Sequence, residues 1–394
     1  MLLKSKLSFL ASEMGLALLA QIMSDPREDL KISNSPLMRQ LEVFHRVALL
    51  EQRALRMKGR RKSSHAHELL FTSLGLQQMT SETLSRYKAT RLPSGLKRVA
   101  DLCCGLGGDT FYLPESIFVV GVDKSWEALL GFRHNVGLFR SVQAIQADVE
   151  RFSGPIDGIL LDPARRSSSN PNSRDFDLEP EPGWESILNL VRRFRNSVLK
   201  LGPGISLPDE LAEYEREYLG LKDECSELTV RTGEWGKPGM VRAVELPSET
   251  MIEAKASDLE DSFERVEEPG SFIYEPVKCV VRAHLFGVLA QQFGLWQLDA
   301  RIAYLSGNQR VDSPLLKRYR MVQELPMDEA LLRSEIAKHE VGLLEIKKRG
   351  IDITPEDWRR KLKPKGPNEA TLIFTRLQGK ARVLWVHAEK ENVL

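Results

Sequence analysis

The chain has 394 residues, of which 42% are hydrophobic, so it can bury a large core and is long enough for two or three domains. Lys and Arg (56) nearly balance Asp and Glu (55), which excludes nucleic-acid recognition through a strong overall charge and leaves only local basic patches. No run of about 18 uncharged apolar residues occurs, so we expect no membrane span.

The first 95 residues show the periodicity of helices, interrupted by Asp25-Pro26 and Ser35-Pro36. The longest periodic stretch covers residues 37–55 and leads into a basic run at residues 53–62. We predict a helical N-terminal module over residues 1–95.

From residue 96 the pattern changes to short apolar runs that alternate with helical patterns. This alternation predicts an α/β fold with a mostly parallel sheet and helices on both faces. Two further β-like runs, at residues 227–232 and 241–246, are separated by glycines and a proline, which predicts an antiparallel hairpin closing the edge of the sheet. We assign residues 96–248 to this domain. The apolar runs lie at residues 99–102, 117–122, 142–147, 156–161 and 198–201.

The last third of the chain contains two regions. We interpret residues 249–320 as a helical connector. Residues 321–394 combine one helical pattern with three strand-like runs, which predicts a small C-terminal α/β domain. The helical pattern covers residues 327–339, and the strand-like runs cover residues 342–346, 371–375 and 383–387.

A glycine-rich loop follows the first predicted strand, with the sequence Asp101-Leu-Cys103-Cys-Gly105-Leu-Gly107-Gly-Asp109. Residues without a Cβ allow a tight turn and a close approach of the backbone to a ligand, so the loop favours a nucleotide-like ligand. A tight turn that binds nothing would give the same pattern. The loop alone therefore does not decide between a binding site and a turn.

Two more carboxylates stand at successive strand ends. Asp123, 22 residues after Asp101, could accept both hydroxyls of a ribose, and Asp148 could accept a hydrogen bond from an adenine amino group. Each one alone is equally well explained as a solvated loop residue or a helix cap. Together, at the edge where open α/β sheets bind ligands, they predict a site for an adenosine-containing cofactor.

The fourth predicted strand ends in Asp162-Pro163-Ala164-Arg165. An Asp-Pro at this edge can offer a carboxylate oxygen and a main-chain carbonyl to a substrate N–H and aim the nitrogen lone pair at a sulfonium methyl group. Such a transfer needs mainly positioning and exclusion of water, and it requires no metal. Arg165 could stack on a base or hold a phosphate. The candidate catalytic residues are Asp162, Pro163 and Arg165; the alternative is an ordinary strand-terminating turn.

The glycine loop with Asp101, the Val-Asp123 and Ala-Asp148 pairs and the Leu-Asp162-Pro-Ala-Arg segment resemble class I S-adenosylmethionine-dependent methyltransferases. The resemblance is greatest to bacterial members with a THUMP-like C-terminal domain and more distant to trimethylguanosine synthase-like enzymes. It implies a Rossmann-like methyltransferase fold over residues 96–248 and S-adenosylmethionine as cofactor, with Asp101, Cys103, Gly105, Gly107, Asp109, Asp123 and Asp148 as the residues that bind it.

The C-terminal segment is similar to the THUMP-like domain at residues 344–352, 358–362 and 369–375. The similarity implies a small α/β domain over residues 321–394 and a structured RNA, such as transfer RNA, as partner. Runs of charge are usually solvated faces, but structured RNA is bound largely through phosphates and shape. The candidate RNA-binding residues, from two basic clusters in this domain, are Arg349, Arg359, Arg360 and Lys363.

One departure leaves the substrate open. Methyltransferases that act on amino nitrogens of bases usually have Asp/Asn-Pro-Pro followed by an aromatic residue, whereas Ala164 and Arg165 stand here. Three hypotheses remain: a methyltransferase acting on a base nitrogen of RNA, one acting on a protein or small molecule, and a cofactor- or RNA-binding protein without turnover.

The four cysteines include no Cys-x-x-Cys spacing, which argues against a disulfide framework and a zinc site. We therefore expect a reduced, cytoplasmic setting and no bound metal. The oligomeric state is not indicated by the sequence.

Overall fold

The structure, a computed structural model, describes residues 5–25, 29–165, 179–259, 268–299 and 302–389. These residues form two compact units. The N-terminal unit contains Met1–Glu215 and Leu228–Pro238, and the C-terminal unit contains Arg216–Glu227 and Gly239–Leu394. The chain thus leaves the first unit after Glu215, returns to it at Leu228 and leaves it again after Pro238.

Helices form the start of the N-terminal unit. Several begin at a hydroxyl residue that caps the first turn: Ser12 accepts a hydrogen bond from the Gly15 N–H at 3.1 Å, and Thr72 accepts one from the Gly75 N–H at 2.9 Å. The long periodic stretch is divided in two, because Leu41 has an extended backbone. The helices are α1 (Lys6–Leu10), α2 (Glu13–Met23), α3 (Asp29–Ser33), α4 (Pro36–Gln40), α5 (Val43–Gly59), α6 (Ser73–Gln78) and α7 (Glu82–Thr90).

The central sheet of the N-terminal unit comes next. Its strands β1 (Arg98–Leu102), β2 (Phe118–Asp123), β3 (Val142–Gln146), β4 (Gly158–Leu161) and β7 (Ser197–Leu201) match the five predicted apolar runs. They are parallel and lie in the order β3-β2-β1-β4-β7. The fold class is therefore confirmed. The remaining elements are α8 (Trp126–Gly137), α9 (Trp184–Phe194), α10 (Asp209–Ala212) and a two-stranded ribbon of β5 (Ala164–Arg165) and β6 (Pro180–Glu181).

Asn135 of α8 is buried and makes hydrogen bonds to both the N-terminal helical region and the glycine loop. Its side chain accepts a hydrogen bond from the Leu70 N–H at 2.8 Å and donates to the carbonyl oxygens of Leu70, at 3.0 Å, and Leu106, at 3.3 Å. Leu106 belongs to the glycine loop. The amide thus links the segment that follows α5 directly to that loop.

The predicted hairpin of residues 227–232 with 241–246 is wrong. The unpredicted strand β8 (Glu215–Leu221) lies between β9 (Glu224–Arg231) and β10 (Met240–Leu246) in the strand order. β10 runs parallel to β8 and forms its own hairpin with β11 (Thr250–Lys255). The second half of β9 is antiparallel to β7. Lys222 and Asp223, between β8 and β9, both have positive φ angles (53° and 64°), as two-residue hairpin turns require.

The C-terminal unit contains a second sheet of seven strands in the order β13-β14-β12-β15-β18-β17-β16. The helix and the three strands predicted between residues 327 and 387 are present as α13, β16, β17 and β18. The elements are β12 (Phe272–Pro276), α11 (Lys278–Arg282), α12 (Phe286–Phe293), β13 (Trp296–Asp299), β14 (Ile302–Gly307), β15 (Leu316–Pro326), α13 (Glu329–Lys338), β16 (Val341–Lys348), α14 (Pro355–Leu362), β17 (Asn368–Leu377) and β18 (Lys380–Ala388).

The interpretation of residues 249–320 as a helical connector is also wrong. The described part of this region contains β11 to β14, the start of β15, two short α-helices and one 3₁₀ turn. All six residues of β14 are buried. A strand buried on both faces shows no alternation, so its sequence cannot be told from a helical segment by periodicity.

Candidate active site

The glycine loop follows β1 and is held by backbone hydrogen bonds to β2. The N–H groups of Cys103 and Cys104 both donate to the Val122 carbonyl, at 2.9 and 3.3 Å. Gly105 and Gly107 have φ angles of +52° and +85°, which L-residues rarely adopt. A Cβ on Gly107 would lie 2.3 Å from Cγ2 of Val136, whereas a Cβ on Gly105 would meet no atom of the described residues within 4 Å. Gly107 is therefore needed for packing, and Gly105 borders open space.

Asp123 at the end of β2 is oriented by two backbone donors. One oxygen accepts from the Gly105 N–H at 3.0 Å and the other from the Ser125 N–H at 2.8 Å. A carboxylate oxygen has two lone pairs, so each keeps capacity for a further donor such as a ribose hydroxyl. The carboxylate is thus pre-oriented beside the glycine loop.

Asp148 follows β3, and its side chain is 36% exposed. It accepts from the Glu150 N–H at 3.1 Å and lies 3.2 Å from Lys124 Nζ. The Glu150 N–H, with Lys124, lowers the pKa of this carboxyl. These contacts are those of a cap on a short 3₁₀ turn, which was the alternative interpretation of this residue.

Three carboxylates and two lysines share one cleft at the carboxyl ends of β1, β4 and β7. Asp101, Asp109 and Asp162 line it together with Lys88 of α7 and Lys200 of β7. Lys200 Nζ lies 2.7 Å from an oxygen of Asp162 and 3.5 Å from one of Asp109, and Lys88 forms an ion pair with Asp109. The remaining wall is mostly apolar and includes Ala89, Leu92, Leu113, Leu160 and Val198.

Burial and neighbouring charges give the three carboxyls different proton affinities. Burial raises the pKa of Asp101 well above its ordinary value, and Asp109 and Asp162 add to the effect. Burial alone would also raise the pKa of Asp109, but Lys200 and Lys88 hold it well below its usual range. The pKa of Asp162 is raised by burial, against the effect of Lys200. The Asp101 carboxyl therefore holds its proton to higher pH than the Asp109 carboxyl does.

Asp162 and Pro163 lie directly after β4. The Asp162 N–H donates to the Leu102 carbonyl at 3.3 Å, so the residue sits beside the end of β1, where the glycine loop begins. The Asp162 side chain is 33% exposed, and Pro163 is buried. The backbone of Arg165 pairs with Pro180, but its side chain lies outside the part of the structure that is described.

The candidate RNA-binding residues of the C-terminal unit differ in their surroundings. Arg349 donates to the Ala303 carbonyl at 2.8 Å and lies over the Tyr304 ring, 5.0 Å from its centroid. Arg359, Arg360 and Lys363 lie on or just after α14 and are exposed, although Arg359 Nε donates to the Leu344 carbonyl at 3.1 Å and Arg360 forms an ion pair with Asp357. Trp358, the aromatic residue next to Arg359, is buried in the core.

Comparisons with known proteins identify the family. An uncharacterized S-adenosylmethionine-dependent methyltransferase of Mycobacterium tuberculosis, found in strains CDC 1551 / Oshkosh and ATCC 25618 / H37Rv, is 33% identical over 325 residues, which cover 78% of this chain and 85% of the relative. The chain belongs to the S-adenosylmethionine-dependent methyltransferases.

Two further likenesses agree with this family. Residues 316–388 of the methyltransferase match the family described as THUMP domain-like. A crystal structure of a candidate methyltransferase from Porphyromonas gingivalis W83 has the same fold, with a TM-score of 0.79 and 21% identity, over 96% of this chain and 99% of that one. The predicted resemblance, fold class and THUMP-like C-terminal region are therefore confirmed.

The site fits the cofactor of this family. Gly105 leaves open space in which backbone can approach a ligand, and the Asp123 carboxylate is fixed beside it. We infer that these two residues, with Asp101 and the rest of the loop, hold S-adenosylmethionine in the methyltransferase.

The sequence interpretation missed the cations of the cleft. Lys88 and Lys200 neutralise the carboxylates, and Thr80, between α6 and α7, places its hydroxyl 2.8 Å from Lys200 Nζ. One signal was available: a lysine interrupts an otherwise apolar strand in Val198-Leu-Lys-Leu. Nothing in the sequence pointed to Thr80 or Lys88, because their role depends on how the N-terminal helices pack.

The loop cysteines are poor nucleophiles. Burial raises the pKa of the Cys103 and Cys104 thiols, and nearby carboxylates raise it further. A thiol that stays protonated does not attack carbon.

The described residues contain no group of three or more His, Cys, Asp or Glu side chains arranged to hold a metal ion. None of their helices has the length and hydropathy needed to cross a bilayer.

Proposed function

We propose that this methyltransferase acts on a nitrogen of a base in a structured RNA. The observation that carries the proposal is the position of Asp162: its partly exposed carboxylate lies at the end of β4, beside the glycine loop, in a cleft with apolar walls. Such an acceptor can hold a substrate N–H and direct the nitrogen lone pair toward the cofactor side of the cleft.

The chemistry asked of the protein is modest. When bound, S-adenosylmethionine supplies a methyl group on a sulfonium: the N–C bond forms as the S–C bond breaks, and the sulfur keeps the electron pair as a neutral thioether. Asp162 orients the nitrogen and takes the proton that the methylated nitrogen gives up, before passing it to water. Pro163 fixes the backbone after Asp162, and the apolar walls exclude water.

RNA as the substrate is supported by the C-terminal unit. The THUMP domain-like match covers residues 316–388, and within it Arg359, Arg360 and Lys363 present exposed cations on or just after one helix. Cations in such an arrangement bind phosphates without reading sequence. Arg349 is only partly exposed, and its guanidinium contacts the Ala303 carbonyl and Glu275, so we leave it out of this surface.

The four thiols are free in the structure, which agrees with a cytoplasmic location as part of the proposal. Arg165 stays a proposed contact for the base or its phosphate.

The test uses the full chain, S-adenosylmethionine labelled in the methyl group, and total cellular RNA. We expect label in RNA that disappears after ribonuclease treatment and is absent with Asp162→Ala. Asp162→Ala should still bind S-adenosylhomocysteine in a calorimetric titration. Mass spectrometry of the labelled nucleosides then identifies the atom. Label found only in protein or small solutes would refute RNA as the substrate and favour the alternative class of acceptor.

A further inference from the structure

Asp162 belongs to a row of alternating charges that begins in the N-terminal helices. Lys88 of α7 pairs with Asp109, Asp109 lies 3.5 Å from Lys200 Nζ, and Lys200 lies 2.7 Å from Oδ2 of Asp162. Thr80 adds a hydroxyl 2.8 Å from Lys200 Nζ. Oδ1 of Asp162 has no hydrogen-bond partner among the residues that the structure describes.

The geometry therefore divides the two oxygens of Asp162 between two partners. Oδ2 is held from inside the protein by a cation, and a carboxylate gripped at one oxygen by a charged donor has a fixed orientation. Oδ1 is left for a group that enters the cleft. Lys200 itself is fixed by a hydroxyl and a second carboxylate.

We propose that Lys200 is a positioning residue for methyl transfer: it holds one oxygen of Asp162 so that the other oxygen meets the substrate N–H. The N-terminal helices keep Lys200 in place through Thr80 and the Lys88–Asp109 pair. The inference rests on the proposed function only in taking a nitrogen as the methyl acceptor. It gives the N-terminal helices a part in the reaction.

The charges that face Asp162 explain why a lysine is needed. Burial and, among the neighbouring charges, Asp109 of the loop disfavour a negative charge there. Asp101 of β1 and Cys103 of the loop also face this carboxyl, and its negative charge raises their pKa values in turn. Lys200 and, farther away, Lys88 favour a negative charge on Asp162. Without Lys200, the carboxyl of Asp162 would keep its proton to higher pH and would then be unable to accept one from the substrate.

The first experiment compares Lys200→Met with Lys200→Arg. We expect Lys200→Met to lower kcat by roughly 100-fold, the lower range for loss of a general base, while S-adenosylhomocysteine affinity stays within about threefold. Lys200→Arg, which keeps the charge, should retain much more activity. Arg192→Met is the matched control, because it removes an exposed ion pair with Glu210 from the same unit and should leave kcat unchanged.

A second readout needs no substrate. With ¹³C-labelled aspartate, assigned through Asp162→Asn, the Asp162 carboxyl should titrate at higher pH in Lys200→Met than in the wild type, and the acid limb of the kcat/KM profile should move the same way. Thr80→Val and Lys88→Met should shift both in the same direction by less. An unchanged carboxyl titration in Lys200→Met would overturn the proposal.

A double-mutant cycle separates positioning from a merely structural role. If Lys200 acts through Asp162, Lys200→Met should have little further effect on kcat in an Asp162→Asn background. Equal losses of kcat in both backgrounds would overturn the proposal. If the methyl acceptor is not RNA, the cycle is run on the acceptor actually labelled, so failure of the RNA proposal remains distinguishable from failure of this one.

Discussion

Gly107 and Gly105 provide a matched pair of substitutions, because both have positive φ angles but only one is packed. In Gly107→Ala the new methyl group would lie 2.3 Å from Val136 Cγ2 and 3.1 Å from Phe132 Cδ2. The left-handed backbone costs about 1–2 kcal/mol and the overpacking about 1–3 kcal/mol, so we expect a loss of about 2–5 kcal/mol in the free energy of unfolding. The N-terminal unit should then unfold about 4–20 °C lower.

In Gly105→Ala the same methyl group meets no atom within 4 Å in the part of the chain that the structure describes. Only the backbone term of about 1–2 kcal/mol remains, so the unfolding temperature should fall less. If the open space is where the cofactor lies, however, affinity for S-adenosylhomocysteine should drop by about 10- to 100-fold, which corresponds to about 1–3 kcal/mol of steric conflict.

Scanning calorimetry of both variants and calorimetric titration of S-adenosylhomocysteine into each give the comparison. We expect Gly107→Ala to lose more stability than Gly105→Ala does. In Gly105→Ala, the loss of affinity for S-adenosylhomocysteine should be large compared with the loss of stability. Equal stability losses, or normal affinity in Gly105→Ala, would show that the loop is packed differently or binds elsewhere.

Three further outcomes are expected. Asp123→Ala should weaken S-adenosylhomocysteine binding by about 10- to 100-fold, since hydrogen bonds to a charged group contribute about 1.5–3 kcal/mol. Asp148→Ala should weaken it less, because this carboxylate is already paired with Lys124; the reverse order in a titration would contradict the assignment of Asp123 to the ribose. Asp101→Asn should raise the free energy of unfolding at neutral pH, because a carboxyl whose folded pKa is raised destabilises the protein above its unfolded pKa. This gain in stability should vanish as the pH falls below about 3.9. If denaturant titrations show the same gain at every pH, the raised pKa of Asp101 is not its cause. Replacing Arg359, Arg360 and Lys363 by Gln should weaken RNA binding. In filter-binding assays, the slope of the logarithm of the affinity against the logarithm of the salt concentration should become less steep by about 1 for each phosphate that the variant no longer binds. An unchanged slope would remove this surface from the proposal.

The sequence predicted the parts of the fold whose signal is local. The five central strands are short apolar runs, and their order along the chain gives the parallel sheet directly. β8 was missed because its seven residues include two glutamates and an arginine, and two of these side chains, Glu215 and Glu217, are buried with ionic partners that only the folded chain provides. A strand that buries charged side chains has a polar sequence, so a hydrophobicity pattern assigns it to the surface or to a loop.

The candidate site shows the same division. Asp101, Asp123, Asp148 and Asp162 could be found because each follows a strand and the carboxyl ends of parallel strands share one edge. Lys88 and Thr80 could not, because they lie in helices and turns whose packing against the loop has no local sequence signature. Asp148 accepts a capping hydrogen bond from the Glu150 N–H and lies beside Lys124, contacts that the strand-end rule does not predict, and its contact with the cofactor stays a prediction.

The interleaved course of the chain has a consequence for synthesis on the ribosome. The N-terminal unit lacks the second half of β9, the neighbour of β7, until Leu228–Pro238 has emerged, after Arg216–Glu227 of the other unit. Domains generally fold as they are made, N-terminal first, at about 5–20 residues per second. A nascent chain that ends near Glu215 therefore exposes an unpaired edge of β7, and a fragment cut at that point should bind holdase chaperones.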